Sequence, residues 1–416
     1  MSHVPPPAPG RYGLDRTDQC VKCALCLPRC PTYRLSGLET ESPRGRIRLM
    51  EALDRGEVDF DPSVVDALDH CLGCLTCEAV CPASVPYGAL LDRVRVLTRK
   101  THRLTPERMV IALTDPPWRL RVFDRTLRIL TRLGLLRLGG ILPGQGGRAL
   151  RLLPDPYPKR PVRAGRWASA PQPPAGRVAL LPGCFSGLWS PELFDAAIRV
   201  LTRWGRAVEI PESVLCCGAL ARHAGAETMA TRQRERTRSR LDPQTPLLVV
   251  DSGCWQEARH LADDVSELTA FLVRVWPAET HAALAHSQRI AVHIPCSQSA
   301  QVKNAQAAGH LLERIGQVIP IPFDLPDGCC GAAGSYLLGM PAWSDRFAAS
   351  LLPALPQPPP DRIVTTNLGC RIRLAAELRR AGLGIRVQHP VEVLDEALQD
   401  PPHQSAGTNR QGEWLK

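Results

Sequence analysis

The sequence predicts an α-helical, metal-binding N-terminal domain followed by an α/β region made of two copies of one parallel-sheet unit. Three observations lead there. Cysteines at two-residue spacing occur in two runs within the first hundred residues. Strand–helix alternation begins only after Arg177, and within it a Cys-Cys-Gly pattern recurs at an offset of roughly 110 residues, a domain-sized duplication and not a solenoid.

Composition narrows the class before any motif is read. With 416 residues, 44% hydrophobic and 22% charged, the chain can bury the cores of two or three domains. The formal charge of +10 is carried almost wholly by arginine and points mildly to acidic partners or anionic lipid. Nucleic-acid binding is disfavoured, because aromatic residues are only 5% and no recognised module occurs. The segment from Met1 to Gly10 has four prolines and no apolar core, so no secretory signal is expected, and no run is apolar enough to span a membrane. Sixteen cysteines in a chain expected to be cytoplasmic favour metal binding over a disulfide framework.

Taken in order, the N-terminal domain reads as helices between cysteine loops. Ser42 followed by Pro43 is an N-cap with proline in the first turn, and Ile47, Leu49 and Met50 begin an apolar face. Next comes a basic amphipathic stretch from Trp118 to Leu153. Leu120, Phe123, Leu127, Leu130 and Leu133 fall near helical spacing, with Arg121, Arg125, Arg128 and Arg132 between them. This suits a helix at a membrane surface or partner, or one packed on its own domain with arginines in water. Residues 154–176 hold seven prolines and read as a linker. Within the α/β region, Leu193, Phe194, Ala197, Ile198, Leu201 and Trp204 line one helix face, closed by Gly205. Parallel sheets place ligands in loops beyond the strand carboxyl ends, which is where the cysteines of this region fall. Five segments result: a two-cluster domain over 1–105, a basic helical region and linker over 106–176, Cys-Cys-Gly domains over 177–286 and 287–400, and a tail over 401–416.

The strongest signal is Cys20-x2-Cys23-x2-Cys26-x3-Cys30-Pro31, repeated as Cys71-x2-Cys74-x2-Cys77-x3-Cys81-Pro82. Iron in a sulfide-bridged cube needs soft anionic ligands, and this run is the two-cluster signature of a ferredoxin-like domain, in which each fourth cysteine serves the other cluster. On that rule Cys20, Cys23, Cys26 and Cys81 hold one [4Fe–4S] cluster, and Cys71, Cys74, Cys77 and Cys30 the other. A pair of zinc sites is the alternative, although structural zinc usually separates two Cys pairs by a longer spacer. Some forty residues between Cys30 and Cys71 form a helical insert. Its Arg44, Arg46 and Arg48 either tune a cluster, meet an acidic partner or form a solvated helix face.

The second signal is Cys184, Cys216, Cys217 and Cys254, matched by Cys296, Cys329, Cys330 and Cys370. Adjacent cysteines in a loop can bracket a metal centre, with Gly218 or Gly331 letting the backbone approach. Buried cysteine is also a small hydrophobe, so one set can serve packing alone. His293 and His389 adjoin strand ends as a ligand, a proton relay or structural residues. Gly144-x-Gly146-x2-Ala149 is a loose dinucleotide fingerprint with no strand before it, and reads as a flexible turn.

The two ferredoxin runs, Ser42-Pro43-Arg44-Gly45-Arg46-Ile47, Leu75 to Pro82 with Val85-Pro86-Tyr87-Gly88, and the doubled Cys-Cys-Gly units together resemble the iron–sulfur subunit of glycolate oxidase. That resemblance implies an electron-carrying subunit working with FAD-binding dehydrogenase subunits and a quinone or other acceptor. It also implies a cytoplasmic chain, often peripheral on the inner membrane, with no catalytic residue of its own. Broader relatives serve lactate or glycerol-3-phosphate dehydrogenation. The Cys-Cys-Gly units also resemble heterodisulfide reductase, but the fifth cysteine of that family is replaced by Glu257 and Arg373. This puts its non-cubane cluster in doubt and leaves four thiols per repeat for a further iron–sulfur cluster.

Overall fold

The computed structural model describes residues 10–99, 106–136, 144–168 and 175–399. The expected tail and residues 1–9 lie outside these. Among the described residues, the region before Gly165 contains helices and loops but no strand. Ser42 caps the helix Pro43–Arg55 as its sequence predicts, its Oγ accepting from Gly45 N at 2.9 Å. The helix packs Ile47, Met50 and Leu53 against Leu68, Leu90, Leu91 and Val94. This small core stands behind both N-terminal cysteine loops.

Two sheets follow. The first contains β1 (Gly165–Trp167), β2 (Arg177–Leu181), β3 (Ala207–Ile210), β4 (Leu247–Val249) and β5 (Val265–Glu267), in the order β1-β3-β2-β4-β5. All pairs are parallel except β1 with β3, so the proline-rich stretch contributes an antiparallel edge strand. The second contains β6 (Ala283–Val292), β7 (Gly316–Pro322), β8 (Arg362–Val364) and β9 (Arg386–Gln388), in the order β7-β6-β8-β9 and wholly parallel. β2 and β8, inside their sheets, bury apolar residues on both faces, as helix-covered parallel strands must.

The sheets share one core. Helix Pro191–Arg203 of the first repeat, with the predicted apolar face, packs on Pro390–Gln399 of the second. Arg199 clasps Asp395 through bonds of 2.6–3.1 Å at the rim of that contact. Gly144 to Ala149, expected as a flexible turn, instead belong to the helix Gly144–Arg151, whose Arg148 Nε reaches the Leu337 carbonyl at 3.2 Å. No helix among the described residues is long and apolar enough to cross a membrane.

Candidate metal centres

The two N-terminal loops have the same backbone. The residues flanking the middle cysteine of each, Lys22 and Ala24 in one, Gly73 and Leu75 in the other, have positive φ between 56° and 69°. Three of these four carry side chains, and left-handed backbone costs each of them about 1–2 kcal/mol. Such turns aim successive N–H groups inward as an anion-binding nest.

Each loop lines its own cavity. Cys20, Cys23 and Cys26 line the first together with Cys81 from the far end of the other run. Cys71, Cys74 and Cys77 line the second together with Cys30, and Cys77 also borders the first. Among the described residues, no three His, Cys, Asp or Glu side chains converge closely enough to hold a single metal ion. A sulfide-bridged cube sets its four thiolates wide apart, each on a different iron, and sulfurs standing round a cavity suit that better than one tetrahedral zinc. Burial pushes the Cys74 thiol up to about 11 and Cys77 well above the ordinary thiol range.

Hydroxyls surround the second cavity. Thr32 Oγ1 lies 3.3 Å from Cys30 Sγ, Thr76 Oγ1 lies 3.2 Å from Cys74 Sγ, and Tyr87 donates to Cys71 Sγ at 3.4 Å. Behind them is Arg46, which is 0% exposed. It donates to Ala67 O and Glu41 O at 2.6 Å and to Thr32 Oγ1 at 2.9 Å, and pairs with the Glu41 carboxylate. Burial acts to lower its pKa, but Cys71, Tyr87, Cys30 and Glu41 outweigh it and raise the value above the ordinary one. A permanent positive charge thus stands beside the second thiol set, where it favours the more negative state of any centre held there. Of Arg44, Arg46 and Arg48, only Arg46 is buried. Arg44 pairs with Glu39 and borders the first cavity, and Arg48 pairs with Glu51 at the surface.

In the α/β region the thiols gather beyond the carboxyl ends of β2, β4, β6 and β8. A chain of thiol hydrogen bonds runs from Cys184 through Cys216 and Cys217 to Cys254, and with burial it holds the last three well above the ordinary thiol pKa. In the second repeat, Cys330 and Cys370 have sulfurs 2.9 Å apart. Hydrogen bonds from Cys329 and Cys370 pull Cys330 well below its ordinary value. The glycine after each cysteine pair is sterically required. A Cβ on Gly218 (φ +94°) would meet Ala230 O at 2.9 Å, and one on Gly331 (φ +79°) would meet Ser344 O at 2.6 Å.

The four thiol sets are not independent. Cys74 packs with Leu72, Cys329, Tyr336 and Phe347, which brings the second N-terminal loop against the second repeat. Tyr336 donates to His70 O at 3.1 Å across the same contact. The loops of the two repeats meet through Ser252 and Ser297, with Oγ atoms 2.7 Å apart, and through Leu368 N donating to Asp251 Oδ1 at 3.4 Å. By contrast Cys23 is exposed, and its neighbours Val21 and Leu25 are 68% and 56% exposed.

His293 and His389 are both buried and hydrogen-bonded. His293 Nδ1 lies 3.1 Å from Thr365 Oγ1, and His389 Nδ1 accepts from Val391 N at 3.2 Å. Burial lowers both pKa values, His389 to about 3, so neither is charged at neutral pH. The sequence leaves Arg46 among three equivalent arginines and assigns no role to Thr32, Thr76 or Tyr87. The recurrence of threonine two residues after Cys30 and after Cys74 was the available signal.

A helical region with two cysteine-lined cavities, docked on paired parallel sheets with thiols at their strand ends, defines an iron–sulfur protein of two-cluster and cysteine-rich domains. Residues 16–85 match the 4Fe-4S dicluster domain family, and residues 178–257 and 290–375 match the cysteine-rich domain family. The chain is 34% identical over 412 residues to the glycolate oxidase iron-sulfur subunit of Escherichia coli (strain K12), covering 91% of this chain and 94% of that protein. It is 28% identical to the probable glycolate oxidase iron-sulfur subunit of Bacillus subtilis (strain 168), covering 91% and 93%. A lactate utilization protein A of Shouchella clausii (strain KSM-K16) is 25% identical over 52% of this chain and 98% of its own length. The chain belongs to the family of glycolate oxidase iron–sulfur subunits.

Proposed function

We propose that this chain is the electron relay of a glycolate (2-hydroxyacid) dehydrogenase, working with FAD-binding subunits and delivering electrons to a quinone or another acceptor. The observation that carries this reading is the succession of thiol sets from an exposed loop to the buried second repeat. Cys20, Cys23, Cys26 and Cys81 hold one cluster in this proposal, and Cys71, Cys74, Cys77 and Cys30 hold the other, in a ferredoxin-like domain ending near residue 105. Bound iron–sulfur clusters supply one-electron steps between a two-electron flavin and its acceptor. The chain's own residues set distance and charge. Arg46 and the three hydroxyls bias the second site, and Leu72, Tyr336 and Phe347 exclude water between it and Cys329.

At least one Cys-Cys-Gly repeat holds a further cluster on four thiols, in domains spanning 177–286 and 287–400 after the 106–176 linker region. Five-thiolate chemistry of the heterodisulfide reductase kind is disfavoured. Glu257 and Arg373, at the fifth position, are both buried and committed to ion pairs. The lactate utilization relative supports a lactate dehydrogenase as the second choice of complex. The chain is placed in the cytoplasm, peripheral on the inner membrane. Purified alone it should oxidise no glycolate with a dye acceptor, whereas co-expression with flavin subunits should restore turnover. Glycolate oxidation by the lone chain would end the relay reading.

A further inference from the structure

Helix Pro117–Arg132 has two faces that demand different surroundings. Inward, Leu120 and Leu127 are buried, and Leu120 and Phe123 pack near Cys184, Phe185 and Val214. Its one acid, Asp124, also points inward, accepting from the Tyr157 hydroxyl at 2.7 Å and pairing with Arg128. Outward, Trp118, Val122 and Ile129 are 58%, 55% and 49% exposed, and Leu133, just beyond the helix, is 66% exposed.

At 3.6 residues per turn these four side chains form one straight stripe about 22 Å long. Exposed Arg125 and Arg132 run along one edge, and exposed Arg119 lies along the other. No acidic side chain is exposed on this helix. An apolar ridge with cations on both edges fits an interface that offers acyl chains between phosphates. Arginine stems lie along such a boundary while their guanidinium groups reach the headgroups.

We propose that this face rests on an anionic phospholipid bilayer, with Trp118, Val122, Ile129 and Leu133 at the acyl boundary and Arg119, Arg125 and Arg132 on lipid phosphates. The assignment refines the peripheral placement above and rests on it.

Sedimentation of the full-length, iron-loaded chain with vesicles tests both. Wild type should bind vesicles of phosphatidylglycerol and phosphatidylethanolamine, and only weakly those of phosphatidylcholine. Val122→Glu with Ile129→Glu, and separately Arg125→Gln with Arg132→Gln, should each weaken binding to anionic vesicles roughly tenfold or more, with visible absorbance unchanged. If wild type binds but neither double variant differs from it, the helix assignment is wrong while peripheral placement survives. If wild type binds no vesicle, both fail. If, in addition, the variants lose co-purifying flavin subunits, the stripe is a protein interface.

Discussion

The two Cys-Cys-Gly repeats share strand order around their thiols, the cysteine pair and the glycine that follows it, yet they diverge three residues after their last cysteine. The first repeat has Glu257, bonded to Arg222 and, at 2.7 Å, to Arg234; Arg222 in turn reaches Asp92 of the N-terminal helical region at 2.7 Å. The second has Arg373, which donates to Asp345 Oδ1 at 2.7 Å and Ser344 O at 3.1 Å, with its Nε lacking a partner. The same position carries opposite charges in the two copies and is a strut in each. The struts do different work. Glu257 ties its repeat to helix Tyr87–Thr98, whereas Arg373 steadies helix Pro341–Ala348, whose Phe347 packs beside Cys329 and Cys74. Duplication therefore supplied two similar thiol sets, and contact with the N-terminal region made them unequal.

Serine replacement of the cysteine pairs should sharpen that inequality most. Cys329→Ser with Cys330→Ser should abolish any paramagnetic centre of the second repeat and also perturb the signals of the N-terminal clusters, because Cys74 packs against that pair. Cys216→Ser with Cys217→Ser should leave the N-terminal signals unchanged. Low-temperature paramagnetic spectroscopy with iron and sulfide analysis reads both, and equal effects from the two repeats would erase the distinction.

Arg46 calibrates how much a buried ion pair matters here. Arg46→Ala should destabilise the chain by about 3–5 kcal/mol, since it leaves the buried Glu41 carboxylate with only the His70 ring, at 2.7 Å, as a partner. Redox titration of the same variant should show a lower potential at one N-terminal cluster, whereas Arg48→Ala, at the exposed end of the same row, should leave both potentials in place.

Next come the struts. Glu257→Gln should cost roughly 1–3 kcal/mol in denaturant unfolding, because two arginines that are 31% and 26% exposed lose a shared carboxylate but can partly rehydrate. Arg373→Met should be the mildest change, about 1 kcal/mol or less. Its main partner Asp345 is 54% exposed, and the substitution removes a buried nitrogen that already lacks a hydrogen bond. A reversed order of the two would mean that the second strut, not the first, is the more heavily used.

Much of this was legible in the residues. Cysteine spacing announces both N-terminal loops because ligand geometry leaves little freedom in the intervals, and Ser42-Pro43 fixes a helix start through purely local bonds. The internal duplication was visible because each strand end must bring its cysteine to one place. Arg46 was harder to single out, since which of three alternating arginines turns inward depends on Glu41 and Thr32 arriving from a different segment. Strand β1 was hidden for a related reason. A three-residue edge strand in proline-rich surroundings carries no periodicity, and only its pairing with β3 defines it. The helix at residues 144–151 was misread because its glycines outweighed, in the sequence, the anchoring that Arg148 finds on the second repeat.

Cys81 walls the cavity of the earlier loop and Cys30 that of the later one. Neither compartment therefore belongs to a contiguous stretch of polypeptide. A ribosome that has delivered only the opening sixty residues has completed neither receptacle, so iron loading must await the arrival of both stretches. Proteolytic nicking between them would then put both centres at risk together, not one at a time.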